Sequence, residues 1–180
     1  MKKNKKIVLG MCGSVAAVRC VELVREFVRR GLEVEVTMTK AAQKIVAVDA
    51  MIWASENPVI TGLTGKVEYL KSCGVEGDAS LLLICPATAN TISKIAAGID
   101  DTTVTTYAST ALGSGCPIIV VPAMHESLYN NPFVAEALDK MKKAGIEVLE
   151  PKREEGIAKL PDEEEIIKAV DKKIKKINST

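Results

Sequence analysis

The chain has 180 residues, 47% hydrophobic and 26% charged, with 24 basic and 23 acidic side chains and a formal net charge of +1. That balance gives no electrostatic footprint for a nucleic acid or an anionic membrane surface. The length supports a sizeable core without disulfide or metal staples, and one domain over residues 1–180 is expected.

The basic start, with Lys2, Lys3, Lys5 and Lys6, is too short a charge block for a binding arm and reads as a solvated tail. "KIVLGM" (Lys6–Met11) reads as a first strand, and "VAAVRCVELVREFVRRG" as an amphipathic helix stopped by Gly31. "EVEVTM" (Glu33–Met38) is a second strand, and "TKAAQKIVAVDAMIWASE" is helical, in one or two pieces. The glycine-rich stretch from Glu56 to Gly77 has no strong period and reads as a long irregular loop. "ASLLLIC" (Ala79–Cys85) is a continuous apolar strand of the kind buried on both faces of a parallel sheet. "NTISKIAAG" is a short helix ending at Gly98, and "PIIVVPA" (Pro117–Ala123) is another buried strand. "NPFVAEALDKMKKAG" starts a helix with Asn131 as cap and Pro132 in the first position. "IEVLEP" is a last strand, and "DEEEIIKAVDKKIKKI" a terminal helix with acids first and lysines last, the order the helix dipole favours. Strand–helix alternation over the whole chain predicts a single-domain α/β fold, an open, mostly parallel, Rossmann-like or flavodoxin-like sheet with helices on both faces.

The five cysteines, Cys12, Cys20, Cys73, Cys85 and Cys116, are odd in number and form no C-x-x-C pair, so no metal site is expected. Reduced thiols, no signal-peptide pattern and no apolar run of membrane-span length point to a cytoplasmic protein.

Ligands of an open α/β sheet bind outside the carboxyl ends of the strands. Four such ends are unusual here. "GMCGSVAA" places Gly13 and Ser14 between strand and helix, where amides hold a phosphate or where Ser14 is simply a cap. It is neither G-x-G-x-x-G nor a Walker loop, so dinucleotide and P-loop readings have no support. Thr39 follows the second strand, again as ligand or cap. "PATANT" (Pro86, Ala87, Thr88, Ala89, Asn90, Thr91) supplies more hydrogen-bonding groups than a cap needs. "VPAMHESLYNNP" delivers Met124 and His125, the one histidine, which fits a surface cap as well as a site.

"GSVAA", "PATANTISKIAAGIDD" and "PAMHESLYNNP" together resemble the homo-oligomeric flavin-containing cysteine decarboxylases, most of all the archaeal branch of the phosphopantothenoylcysteine decarboxylases. The resemblance spans residues 6 to about 170. It implies an FMN held by Gly13, Ser14, Thr39, Thr106 and the run Pro86, Ala87, Thr88, Ala89. It also implies a small-molecule thiol acid bound by Asn90, Met124 and His125, with Asn90 on its carboxylate. A homotrimer or a multiple of one is implied, with each flavin between two protomers. Relatives that decarboxylate carry a histidine in a "His-Ile/Val" block upstream of the signature, which in the archaeal branch follows "Thr-Gly-x-Ile/Val-Glu"; here "TGKVEYLKS" puts Tyr69 there. Tyrosine ordinarily titrates near 10, so it keeps its proton at neutral pH. The resemblance therefore leaves two readings, an active decarboxylase using Asn90 and Tyr69, or a flavoprotein with altered or lost activity. The flexible-clamp cysteine of bacterial and plant relatives is also missing from "EPKREEGIAKLPDEEE", and the archaeal branch has a short clamp too.

Overall fold

The computed structural model describes residues 5–178; the tail lysines Lys2 and Lys3 lie outside them. Strands β1 (Lys6–Met11) and β2 (Glu33–Met38) are joined through a 3-10 turn at Val15–Arg19 and helix α1 (Cys20–Arg29). A second 3-10 turn (Ala42–Lys44) and α2 (Val48–Ser55) lead to β3 (Val59–Ile60), and α3 (Glu68–Cys73) to β4 (Leu81–Ala87). Helices α4 (Ala89–Ala97) and α5 (Thr103–Ser114) precede β5 (Ile118–Pro122). Then come β6 (Met124–His125), α6 (Glu126–Tyr129), α7 (Pro132–Lys143) and β7 (Glu147–Val148). A hairpin of β8 (Lys152–Glu154) and β9 (Ile157–Lys159) and the terminal α8 (Glu163–Asn178) finish the chain.

Six strands form one sheet in the order β3-β2-β1-β4-β5-β7, and every neighbouring pair is parallel. Helical crossovers allow this, since a parallel partner cannot be reached by a tight turn. Ile7 pairs with Val34 on one side and Leu81 on the other. Side chains alternate between two cores. Ile7, Leu9, Met11, Leu83 and Cys85 pack under α1, α2 and α8. Val8, Cys12, Leu82, Ile84 and Val120 pack under α4, α5 and α7. All six residues of β1 and all seven of β4 are buried, as a doubly covered parallel sheet requires.

The helix expected from Val15 begins as 3-10 and becomes α-helical at Cys20, with Gly31 beyond its end at φ 78°. The second helical stretch does fall into two pieces. Glu56–Gly77 is not one irregular loop. It holds the edge strand β3 and the helix α3. Both are too short to carry a period, and α3 starts from Val67 in the left-handed region (φ 48°), a start no capping residue announces. The sequence reading also left out α5, whose run "TVTTYASTALGS" is rich in threonine; its capping box, Thr102 with Thr105, sets its start. The "EEG" of the last hairpin is a turn with Glu155 and Gly156 both at positive φ, and β9 pairs on to β6.

A charged network ties α3 to the sheet. Lys6 is 7% exposed. Its Nζ lies 3.0 Å from Glu35, 2.8 Å from Asp78 and 3.3 Å from Ser72 Oγ. Ser72 and Tyr107 both donate to the Glu35 carboxylate, at 2.7 Å each. Burial alone would pull the Lys6 ammonium down; hydrogen bonds and charges from Asp78 and Glu35 outweigh it, and the net direction is up. Burial, then the charge and hydrogen bond of Glu35, push the Tyr107 hydroxyl up. A group whose folded pKa is raised contributes stability below its unfolded pKa and loses it as pH rises. Denaturant midpoints should therefore hold near neutrality and fall from about pH 10 upward, where unfolded tyrosine and lysine titrate. Tyr107→Phe should flatten that fall. It should cost about 1.5–3 kcal/mol at pH 7, the usual size for a lost hydrogen bond to a charged group. Urea unfolding of both proteins at stepped pH values checks this; parallel pH profiles would refute the assignment.

Candidate functional site

The carboxyl ends of β1 and β4 lie side by side where the winding reverses, the crevice in which open α/β sheets bind ligands. Cys12 N–H donates to the Pro86 carbonyl at 3.2 Å and holds the two ends together. The chain turns sharply at Gly13. A Cβ there would stand 2.4 Å from Ala41 Cβ, so only glycine lets the β1 and β2 turns approach. Ser14 then caps the 3-10 turn, its Oγ accepting from Ala16 N–H at 3.4 Å. Thr39 repeats the device at the end of β2, accepting from Ala42 N–H at 3.2 Å. Thr88 caps α4, accepting from Thr91 N–H at 3.5 Å. The cap readings of Ser14 and Thr39 are thus realised, Thr88 is a cap as well, and all three line one cavity.

That cavity has a volume of about 970 Å³, the upper end of what a small-molecule or cofactor site usually encloses. Of the residues expected at a site, Gly13, Ser14, Thr39, Thr88, Ala89, Asn90, Thr106 and Met124 line it. Asn90 is exposed in the first turn of α4 and makes no hydrogen bond among the described residues, so its amide is free for a ligand. Pro86 and Ala87 are buried just below, within β4 itself. His125 stands beside Met124 but caps α6, its Nδ1 accepting from Ser127 N–H at 3.2 Å. Tyr69 does not line the cavity. It sits half-buried on α3, its ring edge-on to Tyr107 with centroids 6.4 Å apart. One chain therefore does not bring Asn90 and Tyr69 to the same cavity.

Several lining groups escaped the sequence reading: Lys40, Leu63, Asp100, Asp101, Thr103 and Leu128. Thr106 Oγ1 donates to the Asp100 carboxylate, and Lys94 clamps Asp101 at 2.6 Å. Thr103 Oγ1 donates to the Met38 carbonyl at 3.0 Å and ties α5 to the end of β2. The adjacent acids in "GIDD" were the one available signal; without α5 recognised, nothing placed them at the crevice. Beneath the floor Cys12 is pushed up to about 11 by burial, partly opposed by hydrogen bonds from the Thr91 side chain and the Thr88 backbone. It is a thiol at neutral pH and no nucleophile.

The pole near Gly13 is rich in uncommitted donors. The amides of Gly13, Lys40 and Ala41 have no intramolecular acceptor among the described residues. Ser14 and Thr39 spend only acceptor capacity on their caps, so each hydroxyl keeps its proton to donate. Such a pole takes an anion, and a phosphate fits it. No cluster of three or more His, Cys, Asp or Glu side chains able to hold a metal occurs among the described residues. Among them no helix is long and apolar enough to cross a membrane.

The chain is 51% identical over 172 residues to the coenzyme A biosynthesis bifunctional protein CoaBC of Thermococcus kodakarensis, covering 95% of this chain and 42% of that protein. It is 40% identical over 173 residues to the CoaBC protein of Methanocaldococcus jannaschii, covering 96% and 41%. The chain thus spans about two-fifths of the length of these relatives. A solved structure described as the FMN-dependent cysteine decarboxylase SpaF superposes with a TM-score of 0.77 at 26% identity, over 93% of this chain and 96% of that one. The family model described as Flavoprotein matches residues 1–175, and the chain belongs to that family.

Proposed function

We propose that the chain is an FMN-dependent carboxy-lyase acting on 4′-phosphopantothenoyl-L-cysteine or a closely similar thiol acid. The observation that carries this is the cavity at the β1/β4 crevice, with a donor-rich pole at one strand end and the free Asn90 amide on its lining. The family match and the cysteine-decarboxylase neighbour support it. The residues present fit FMN. Gly13, Ser14 and Thr39 hold its phosphate, the start of α4 at Thr88 and Ala89 faces the rest, and Thr106 closes the α5 side. A bound flavin would supply the two-electron redox chemistry that activates the cysteine moiety for loss of its carboxylate.

The protein's own work is binding and orientation. Asn90 donates an amide N–H to the substrate carboxylate without adding a competing negative charge. Met124, Leu63 and Leu128 wall the cavity with apolar surface, lowering hydration around the carboxylate that must leave. Tyr69 takes its place from a second copy of the chain. Within one chain it lies off the cavity, while the loop leading to its helix, Thr61 to Leu63, lines it. The functional assembly is a homotrimer or a multiple of one.

A second reading, a flavoprotein with altered or lost decarboxylation, is favoured by Tyr69 itself. It puts a phenol where the resemblance expects an imidazole, the side chain suited to exchanging protons at neutral pH.

Denatured protein, made with flavin available, should release FMN; release of FAD, or of no flavin, contradicts the cofactor assignment. Light scattering should give a trimer or a multiple at micromolar concentration, and monomer alone with flavin bound would sink the composite site. Asn90→Ala should keep its flavin and lose about 100-fold or more in carbon dioxide release, the scale of removing one donor to reacting charge. Tyr69→His should raise release, up to about 100-fold, within the range of general acid–base help. Equal rates in wild type and Tyr69→His show that tyrosine suffices; no release from either supports the second reading.

A further inference from the structure

The donor pole has a property beyond its amides and hydroxyls. Of the cavity-lining residues, Lys40 is the one cation, and it is exposed at the turn after β2, directly between Thr39 and Ala41. Among the described residues it makes no ion pair or hydrogen bond. The two lining carboxylates are engaged elsewhere, Asp101 by Lys94 and Asp100 by the Thr106 hydroxyl. No protein anion therefore answers the Lys40 charge, and a dianionic phosphate has no other lining cation to meet.

We propose that Lys40 is a specificity residue. It supplies the counter-charge to the phosphate monoester of the flavin and makes the site prefer the phosphorylated cofactor to riboflavin. This rests on the FMN reading. The neutral donors Gly13, Ser14 and Thr39 recognise the shape of the phosphate, and Lys40 answers its charge. The ammonium is a flexible point charge rather than a bidentate fork, so arginine at this position retains the preference. Its solvent exposure makes the attraction sensitive to ionic strength.

The test is flavin titration of flavin-free protein, followed by quenching of flavin fluorescence, with FMN and riboflavin side by side in low and high salt. Lys40→Gln should weaken FMN about three- to tenfold and riboflavin less than twofold. Its FMN affinity should depend less on salt than that of the wild type. Lys40→Arg should restore the FMN preference. Lys44→Gln, an exposed lysine in the same turn that does not line the cavity, makes the same change in net charge and should leave both affinities unchanged. Equal losses for FMN and riboflavin in Lys40→Gln, no loss for either, or an equal effect of Lys44→Gln overturns the proposal while leaving the FMN reading intact. A wild type that binds neither flavin overturns both.

Discussion

The parallel pairing of β1 with β4 is the constraint on which the rest depends. Both strands are buried on both faces, so neither can be read by a polar side and an apolar side. In such a pair the hydrophobic pattern does not fix the register, because a one-residue slip exchanges one apolar face for another. Register must be set at the ends. At the carboxyl end Cys12 N–H meets the Pro86 carbonyl, and Gly13 lets the β2 turn close to 2.4 Å of an imagined Cβ. At the amino end Ser80 N–H donates to the Lys6 carbonyl at 2.8 Å, and the Lys6 ammonium joins the Glu35 network. Polar groups at the two rims thus align an interior that is almost wholly apolar.

The network at the amino rim is costly in isolation. Withdrawing an ammonium and a carboxylate from water is repaid only when their remaining hydrogen-bonding capacity is filled. Here it is filled: Glu35 receives Lys6, Ser72 and Tyr107, and Lys6 also reaches the partly exposed Asp78. Three of these partners lie outside β1 and β2, the strands that carry Lys6 and Glu35: Ser72 on α3, Asp78 in the loop after it, Tyr107 on α5. The network therefore fixes where a one-and-a-half-turn helix sits, something α3 is too short to secure by its own apolar face. Since α3 also carries Tyr69, with its ring against Tyr107, the amino-rim charges decide the placement of a side chain that the family resemblance assigns to the chemistry.

The fold was legible where the sequence carries a period or a punctuation mark. β1 and β2 agree to the residue, Gly31 and Gly98 stand at left-handed helix ends, and Asn131 with Pro132 opens α7. It was illegible where tertiary contacts do the work. Helix α5 is built from β-branched and small residues with poor intrinsic helix propensity. It forms because its capping box is satisfied and because Val104, Tyr107, Ala108 and Ala111 are buried under the sheet. β3 is two residues long at an edge. Of the site, the four strand ends marked by "GS", "T", "PATANT" and "PAMH" were visible, while Leu63 and Asp100 depend on where loops fold back. At the fourth end Met124 lines the cavity, and His125 itself caps a helix.

The cap-or-ligand ambiguity at Ser14 and Thr39 has a physical resolution that requires no choice, and the Thr88 cap sets its limit. A hydroxyl has two acceptor lone pairs and one proton. A cap uses it as an acceptor, from Ala16, Ala42 and Thr91 respectively. For Ser14 and Thr39 the proton then has no intramolecular partner among the described residues, and the rigid cap fixes the oxygen from which it is offered. Thr88 instead offers its proton to Thr91 Oγ1 at 3.3 Å, so it stands as a fixed wall rather than a donor. The same hydrogen bond that begins the helix thus holds the oxygen still, at a strand end where an incoming phosphate oxygen needs a donor that does not have to be ordered on binding. Aspartate would cap as well, yet its carboxylate would repel an anion, and an asparagine amide would cap through its oxygen but donate from a different atom, its nitrogen. A hydroxyl caps and donates from one and the same fixed oxygen.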